Sequence, residues 1–249
     1  MSRRQRLVLF SVTGCGLGGF VLWGLHGLPA FGNYAGAYGR LFNSVGKSER
    51  HVSNIVGGIV FDFRGFDTLG EEFILFSSVM GVSFILRSSS AVKDQSPLDA
   101  VSSDATRVVG ALMVPVTVIL GLWLAAFGYV TPGGGFQGGV AIASAFALLW
   151  IATSYRSYRK LTPPDVLDAV EGAGAASYVV VGLIGLALDG AYLSNFLPLG
   201  SAGTLASGGS IGLLNWASAL EVAAANVLLY REFFQEYIQT FPEAQRGRG

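Results

Sequence analysis

The residues of this 249-residue sequence that could most readily carry chemistry are acidic side chains within otherwise apolar stretches. They are Asp67, Glu71, Glu72, Glu171 and Glu221. A charged side chain at the centre of a bilayer costs about 2.5–3.5 kcal/mol on insertion scales, so such residues usually serve a function. Close carboxylates in apolar surroundings favour binding a proton, as a proton carrier requires. These five residues are therefore candidates for an ion or proton path.

A structural interpretation competes with that hypothesis for the acids near position 70. Asp67 and Glu71 are four residues apart and would face one side of a helix, whereas Glu72 would turn away from them. Arg64 could neutralise Asp67 in an ordinary ion pair near the membrane surface. Both interpretations stay open for this group.

The two acids in the second half of the chain differ in position along their apolar stretches. Glu171 lies early in its stretch, as does Asp168, and either could simply complement the positive end of a helix at the membrane surface. Glu221 lies near the middle of its stretch with no cation nearby in sequence. A lone buried carboxylate must be protonated or paired, and Asn215 and Asn226 could hydrogen-bond to it from neighbouring turns.

The composition places these acids in a membrane protein. Hydrophobic residues make up 51% and charged residues 13% of the sequence, and the mean hydropathy is +0.53. A soluble domain carries about 25% charged residues, so this chain has too little polar surface to face water. The pattern predicts an all-α polytopic integral membrane protein of about six transmembrane helices, in a two-plus-four arrangement. The predicted spans are residues 7–28, 68–86, 106–129, 136–154, 165–188 and 209–232.

The stretches between the spans predict the topology. Val52–Phe61 is apolar but too short to cross a bilayer, which predicts a re-entrant or interfacial segment before the second span. Residues 87–105 form a polar, serine-rich linker, and a charged tail closes the chain. Lysines and arginines concentrate on one side, so we expect both termini to be cytoplasmic in a bacterial or archaeal cell (inner) membrane. The basic residues of the first outer loop, near positions 40–50, do not fit this rule.

Other kinds of chemistry find little support in the sequence. One cysteine and two histidines are too few for a protein-ligated zinc site or iron–sulfur cluster, and no cofactor or metal is expected. The formal net charge is zero, which gives no reason to expect nucleic acid as a partner. No nucleophile and base are recognisable as a pair, so we do not expect an enzyme.

A glycine-rich motif separates the third and fourth predicted spans. Residues 128–139 read GYVTPGGGFQGG, and the turn-forming positions are Pro132, Gly133, Gly134, Gly135, Gly138 and Gly139. Such a run cannot form ordinary helix throughout. It predicts either a tight turn that lets two spans pack closely or a broken-helix element that lines a cavity. A phosphate loop is disfavoured because no lysine follows the glycines in the required frame.

The glycine motif resembles the signature of the MnhB domain, the B-type component of Mrp-type Na⁺/H⁺ antiporters, which reads G-H-x-x-P-G-G-G-F-x-G-G. Residues 198–222, with the strings PLG, GTL, SGG, LNW and ALEV, are also similar to that family. The resemblance covers about residues 105–235 and four spans, as the family has. Tyr129 stands at the histidine of the family pattern, so a proton-relay role of that position is open in this chain.

The first third of the chain carries a second resemblance. Residues 64–71 read RGFDTLGE. This string is similar to one in the C-terminal extension of the large A-type component of Mrp antiporters and in the small E-type component of membrane-bound hydrogenases. The chain thus resembles a fusion of an E-type module, residues 1–95, with an MnhB-like module, residues 105–249.

Together the resemblances imply that the chain is a membrane component of a multi-subunit monovalent cation/proton antiporter of the Mrp type. The implied partners are other hydrophobic subunits of that complex and lipid, and the implied ions are Na⁺ and H⁺. The same module could instead serve a redox- or enzyme-coupled relative, such as a membrane-bound hydrogenase, or be a purely structural membrane scaffold. A stand-alone transporter fits less well, because the spans show no inverted repeat.

Overall fold

The computed structural model describes residues 3–28, 32, 36–89 and 103–240, with side chains left undescribed at 6, 87–89, 155–156 and 235–240. Most of the predicted linker and the end of the charged tail lie outside these residues. Apart from an isolated bridge between Gly200 and Ser207, the regular structure of the described part is helical. Its helices are α1 (Arg3–His26), α2 (Ala37–Arg50), α3 (Ile55–Gly58, continued by a π-helical turn at Ile59–Phe63), α4 (Gly65–Ser89), α5 (Asp104–Ala126), α6 (Gly135–Ala152), α7 (Tyr155–Leu161), α8 (Pro164–Asp189) and α9 (Ile211–Thr240).

Six of these helices are long and apolar enough to cross a membrane. The candidate spans are Arg3–His26, Gly65–Leu86, Asp104–Ala126, Gly135–Ala152, Pro164–Asp189 and Ile211–Phe234. Each overlaps one of the six stretches expected from the sequence. The prediction of an all-α polytopic membrane protein with six spans is therefore confirmed.

The chain divides into two compact units, Met1–Leu41 and Phe42–Gly249. In the first unit, the described side chains of α1 are exposed along its whole length. Apolar exposure of this kind is what a helix in contact with lipid requires, since the hydrocarbon core is as apolar as leucine. Helix α1 is one of the six candidate membrane spans, which agrees with its exposed apolar side chains.

Helix α9 forms the centre of the second unit. It packs against α4, α5, α6 and α8, and it is the most buried of the candidate spans. A core cluster at its start joins Ile211 and Leu214 to Tyr129, Tyr178 and Phe61. Helices α5 and α6 pack closely because Gly121 and Gly138 face each other's backbone. Large side chains at these two positions would separate the helices.

The short apolar segment expected before the second long span forms α3 and its π-helical turn. Asn54 caps α3, with its side-chain oxygen accepting a hydrogen bond from the Val56 amide at 3.2 Å. The Asn54 side-chain amide also donates to the Gly128 carbonyl at 2.6 Å. The segment has nine residues, Ile55–Phe63, too few to cross a bilayer. These bonds hold it against the turn that follows α5.

The two modules inferred from sequence resemblance do not coincide with the compact units. Helix α4, which belongs to the proposed E-type module, packs against α8 and α9 of the MnhB-like module. The boundary between the compact units instead falls within α2, between Leu41 and Phe42. The modules thus remain a prediction about sequence, while α4, α8 and α9 share one packed interior.

Candidate functional site: a buried carboxylate cluster

Three of the predicted acids meet between helices of the second unit. Glu72 extends from α4, Glu171 from α8 and Glu221 from α9, and their relative exposures are 1%, 1% and 0%. We call these three residues the carboxylate cluster. Acidic side chains are almost never fully buried in proteins unless they are paired. Three such residues between packed helices therefore form the most unusual chemical feature of the described chain.

The carboxyl groups of Glu72 and Glu221 face each other directly. They lie close enough to hydrogen-bond once one of them carries a proton. None of their four oxygens accepts a hydrogen bond from a donor in the described residues. The Ser218 hydroxyl lies near Glu72, but it bonds to the Leu214 carbonyl of its own helix at 3.1 Å. The charge of Glu171 also acts on Glu221, which joins the third acid to the pair.

A glycine lets α8 and α9 approach closely enough to form this cluster. A Cβ atom placed on Gly174 would lie 2.6–2.8 Å from the backbone nitrogen, Cβ and Cα of Glu221. The two helix backbones are therefore in contact at Glu221. Glu171 lies three residues before Gly174 on α8, on the same helix face. The close approach thus places Glu171 beside Glu221.

Two hydroxyl groups fix the start of α4, from which Glu72 extends. The Tyr178 hydroxyl donates to the Gly65 carbonyl at 2.9 Å, and the Thr68 hydroxyl donates to the Val60 carbonyl at 2.5 Å. Tyr178 is fully buried and lies near both Thr68 and Glu72. These bonds satisfy carbonyls where the π-helical turn gives way to α4. They hold Glu72, one turn after Thr68, toward the interior.

The acids of the other face of α4 lie outside the cluster. Asp67 pairs with Arg64, whose Nε donates to Asp67 Oδ2 at 2.5 Å, and both side chains are exposed. The ion pair weighed from the sequence is therefore present. Glu71 is exposed. Within this chain Glu72, not Glu71, is the residue that meets Glu221. A role of Asp67 and Glu71 in an ion or proton path stays a prediction.

The asparagines expected near Glu221 bond elsewhere. Asn226 donates to the Val222 carbonyl of its own helix at 2.8 Å. Asn215 is fully buried and joins the glycine motif, with its Oδ1 accepting from the Gly135 amide at 2.7 Å. Its amide nitrogen donates to the Ala125 carbonyl. Asn215 thus ties the end of α5 and the start of α6 to α9.

The glycine motif forms a tight turn between two closely packed spans. Gly133 and Gly134 have backbone φ angles of +151° and +154°, which residues other than glycine rarely adopt. Helix α6 begins directly afterwards, and a Cβ on Gly135 would collide with α9 at Asn215. Pro132 is exposed. A Cβ atom added to Gly138 would lie within 3 Å of atoms of α5, and one added to Gly139 within 3 Å of atoms of α9. The close-packing interpretation of the motif accounts for this geometry.

Tyr129, at the position of the histidine in the family pattern, binds a neighbouring loop. Its hydroxyl donates to the Leu205 carbonyl at 2.6 Å, and the side chain is buried in the core cluster. Burial raises the pKa of the Tyr129 phenol above its ordinary value. The residue therefore stays neutral near neutral pH and links the glycine motif to residues 200–207, rather than exchanging protons there.

A second buried polar group was not anticipated from the sequence. Asp62, in the π-helical turn, accepts from Arg50 Nε at 2.6 Å and from the Asn195 side-chain amide at 2.8 Å. Asn195 Oδ1 in turn accepts from the Ser210 amide at 2.7 Å. We call Arg50, Asp62, Asn195 and Ser210 the Asp62 hub. A sequence signal existed, since Asp62 lies in an apolar segment, but its partners come from distant loops.

The cluster does not have the arrangement of a metal site. No group of three or more histidine, cysteine, aspartate or glutamate side chains among the described residues could hold a metal ion. Carboxylates without converging ligands can still exchange protons or bind a monovalent cation transiently.

Comparison with known families places the second half of the chain. Residues 105–228 match the family model described as a domain related to the MnhB subunit of Na⁺/H⁺ antiporter. The resemblance inferred from residues 128–139 is thereby confirmed. The matched region contains Glu171 and Glu221, whereas Glu72 precedes it.

Two curated relatives are similar in sequence. An uncharacterized protein of Methanocaldococcus jannaschii is 32% identical over 204 residues, which are 73% of this chain and 77% of that protein. A probable K⁺/H⁺ antiporter protein of Rhizobium meliloti, of the combined A/B type, is 31% identical over 127 residues, or 42% of this chain. The alignment spans only 13% of that second relative.

Two solved membrane complexes contain similar chains. One is the membrane-bound sulfane sulfur reductase, an archaeal respiratory membrane complex. Its matching chain has a TM-score of 0.65 and 27% identity, over 92% of this chain and 98% of that one. The other is the Mrp complex of Dietzia sp. DQ12-45-1b, with a TM-score of 0.65 and 24% identity, over 93% of this chain and 26% of that one. At 24% identity, the match to the chain of the Mrp complex shows that the two chains share a fold.

Proposed function

Because the chain belongs to the family that carries the MnhB-related domain, we propose that it is a membrane subunit of a multi-subunit Mrp-type monovalent cation/proton antiporter. In that complex it contributes to the ion or proton path and to the assembly of the other subunits. The observation that carries the proposal is the carboxylate cluster, where Glu72 and Glu221 are buried against each other without a donor among the described residues.

The cluster suits proton transfer between helices. Two adjacent acids in apolar surroundings favour one shared proton over two charges, and the pair then titrates as a unit. A proton held between Glu72 and Glu221 can pass from α4 to α9 with little movement of either side chain. Glu171 supplies a third acceptor on α8. The three acids thus form a short relay among three spans.

The relay needs continuations outside this chain. Asp67 and Glu71 lie on the opposite face of α4 and are exposed. Neighbouring subunits would cover this surface in a complex, and both similar solved chains come from membrane complexes. We propose that transport of Na⁺ or another monovalent cation involves those neighbours. This chain supplies the proton-binding part and keeps both termini on the cytoplasmic side.

A second candidate is the same role in an enzyme-coupled respiratory complex. It is favoured by chain length, since the match covers 98% of a chain of the sulfane sulfur reductase complex but only 26% of the Mrp chain. In that setting the redox chemistry would belong to other subunits. The subunits that co-purify with this chain in mild detergent distinguish the two candidates, since redox subunits appear only in the second.

The proposal predicts the effect of neutralising the relay. Glu221→Gln and Glu72→Gln keep the shape of the side chain but remove its titrating proton. Each should reduce cation-dependent proton transport by about a hundredfold or more, the scale of a lost proton-transfer group, while the complex still assembles. The measurement is the collapse of an imposed pH gradient in vesicles containing the reconstituted complex, over a range of pH.

Asp165→Asn is the matched control, because Asp165 is an exposed acid in the first turn of α8. It should transport at the wild-type rate. If Glu221→Gln and Glu72→Gln complexes assemble normally and transport at the wild-type rate at every pH, the acids are structural and the chain is a scaffold.

A further inference from the structure

Helix α9 buries a second acid, Glu232, which the proposed relay does not use. Glu232 is 3% exposed, and Arg231, the residue before it, is 7% exposed. Charged side chains are rarely buried to this extent unless they are paired or serve a function. Glu232 lies eleven residues after Glu221, which corresponds to three helical turns and about 16 Å along the helix. Both acids therefore lie on the same face of α9, within one candidate span.

An apolar layer separates Glu232 from the carboxylate cluster. Ala225 and Leu228 lie between Glu221 and Glu232 on this face of α9, and they form a buried cluster with Val79 of α4. We call Val79, Ala225 and Leu228 the apolar layer, and all three are fully buried. A closely packed apolar constriction excludes water and blocks ions until it is hydrated. A proton can therefore leave the cluster in this direction only when the layer admits water.

The far side of the apolar layer is polar again. Helices α4 and α9 run in the same direction, because the carboxylate cluster and the apolar layer join them in the same order. Ser83 on α4 and Glu232 on α9 each lie four residues beyond the layer, and they are therefore at the same level. The buried hydroxyl of Ser83 has no hydrogen-bond partner among the described residues. A buried hydroxyl of this kind is a typical position for a bound water molecule.

The turn between α7 and α8 holds this end of α9 in place. The guanidinium of Arg231 donates to the carbonyl of Thr162 and, at 3.4 Å, to its hydroxyl. Thr162 is itself fully buried. These contacts place a positive charge next to Glu232 in the chain. The polar groups beyond the apolar layer thus come from α4, from α9 and from the residue that ends α7.

We propose that Glu232 is the next proton-binding site after the carboxylate cluster and that the apolar layer is the barrier between them. A proton leaves the Glu221 carboxyl group, passes along water molecules that enter the layer, and binds the Glu232 carboxylate. Glu221 becomes ionised in this step and Glu232 becomes neutral. The relay is thereby extended to the α7 end of the spans, the cytoplasmic end in the predicted topology. The inference rests on the proposed function, since the cluster supplies the proton.

Paired substitutions of Glu232 test its role in binding a proton. In vesicles containing the reconstituted complex, Glu232→Gln should reduce cation-dependent proton transport by about a hundredfold or more, because the titrating group is lost. Glu232→Asp keeps a titrating group and should transport far faster than Glu232→Gln. The matched control is Glu49→Gln, at an exposed acid of α2, which should transport at the wild-type rate. Each purified complex should unfold near the wild-type temperature.

Three results would overturn or limit this role of Glu232. Equal transport by Glu232→Gln and Glu232→Asp, whether at the wild-type rate or abolished, would overturn it. A clearly lower unfolding temperature of Glu232→Gln would also overturn it, because the acid would then stabilise the fold. Wild-type transport by Glu232→Gln beside impaired transport by Glu221→Gln refutes this extension alone, whereas wild-type transport by Glu221→Gln refutes the relay itself.

A hydroxyl group placed in the apolar layer tests the barrier. Val79→Thr keeps the branched shape of the side chain and should draw water into the layer. In vesicles without a transported cation, an imposed pH gradient should then decay about threefold faster or more, because a hydrated constriction conducts. Val116→Thr, at an exposed position of α5, is the matched control. Adding Glu232→Gln to Val79→Thr should restore the slow decay. Equal decay in the two threonine variants, or fast decay in the double variant, would refute the barrier.

Discussion

The carboxylate cluster and the Asp62 hub both bury acidic side chains, but they surround them differently. Asp62 accepts hydrogen bonds at both oxygens, from Arg50 and Asn195. Glu72 and Glu221 face each other instead, and their oxygens lack donors among the described residues. The hub lies in connecting segments at the end of the helices, whereas the cluster lies along candidate spans.

The comparison distinguishes the residues of the Asp62 hub, which stabilise the fold, from those of the carboxylate cluster, whose function costs stability. A buried charge with matched donors anchors the segments that supply those donors, and removing one partner leaves the others unsatisfied. Two facing acids without donors add nothing comparable to stability, and they are typical of sites where function, not folding, determines the residue. Substitutions in the Asp62 hub should therefore lower stability, whereas substitutions in the carboxylate cluster should lower activity.

The largest expected effect comes from the helix contact that forms the cluster. Gly174→Ala places a Cβ within 2.6–2.8 Å of the Glu221 backbone, so α8 and α9 must separate. Overpacking of this kind costs about 1–3 kcal/mol, and we expect a clearly lower thermal unfolding temperature of the purified complex and a loss of transport. In Gly172→Ala the new methyl group meets nothing within 4 Å. Equal unfolding temperatures in the two variants would show that the helices are not in contact there.

The hub should lose stability when its acid is neutralised. Asp62→Asn replaces one acceptor oxygen with a donor, which must face either Arg50 or Asn195. The expected cost is about 1–3 kcal/mol, measured as a lower unfolding temperature in detergent. Asp67→Asn, which breaks the exposed pair with Arg64, should cost less than about 1 kcal/mol. Glu221→Gln should also unfold near the wild-type temperature, and a drop as large as that of Asp62→Asn would erase the distinction between cluster and hub.

The smallest effect concerns Tyr129, which belongs to neither group. Tyr129→Phe removes the hydrogen bond to the Leu205 carbonyl and should cost about 1 kcal/mol. Burial raises the pKa of the Tyr129 phenol in the folded protein. The stability that the neutral phenol contributes is therefore complete below its pKa in the unfolded chain, about 10. It is lost as the pH rises toward the pKa in the folded protein. The wild-type complex should therefore lose more stability above about pH 10 than Tyr129→Phe does. Parallel pH profiles would contradict this role.

Much of the fold could be predicted from hydropathy and glycine content. A helix that crosses a bilayer must satisfy all its backbone groups internally and remain apolar over about 20 residues, so the spans are visible as runs in the sequence. The turn at residues 128–139 was visible for a similar reason, since consecutive glycines mark backbone that other residues cannot adopt. Neither inference needs to know which helices become neighbours.

The candidate site could be predicted only in part. Acids within apolar runs are rare, so Glu72, Glu171 and Glu221 were recognisable as candidates. Helical periodicity also placed Glu71 and Glu72 on different faces. It could not say which face would be inside, because the packing of α9 against α4 decides the rotation of α4. That choice assigned Glu72 to the cluster and left Glu71 exposed.

The amino-acid sequence by itself thus determined the spans, the glycine turn and the short list of acids, because these depend on properties of neighbouring residues. The tertiary structure alone decided which acids contact each other and which accept hydrogen bonds from donors. Asp62 binds Asn195, which lies 133 residues away along the chain, and Glu221 meets Glu72 only where Gly174 lets two helix backbones touch. Contacts at such separations follow from helix packing, which local sequence does not encode.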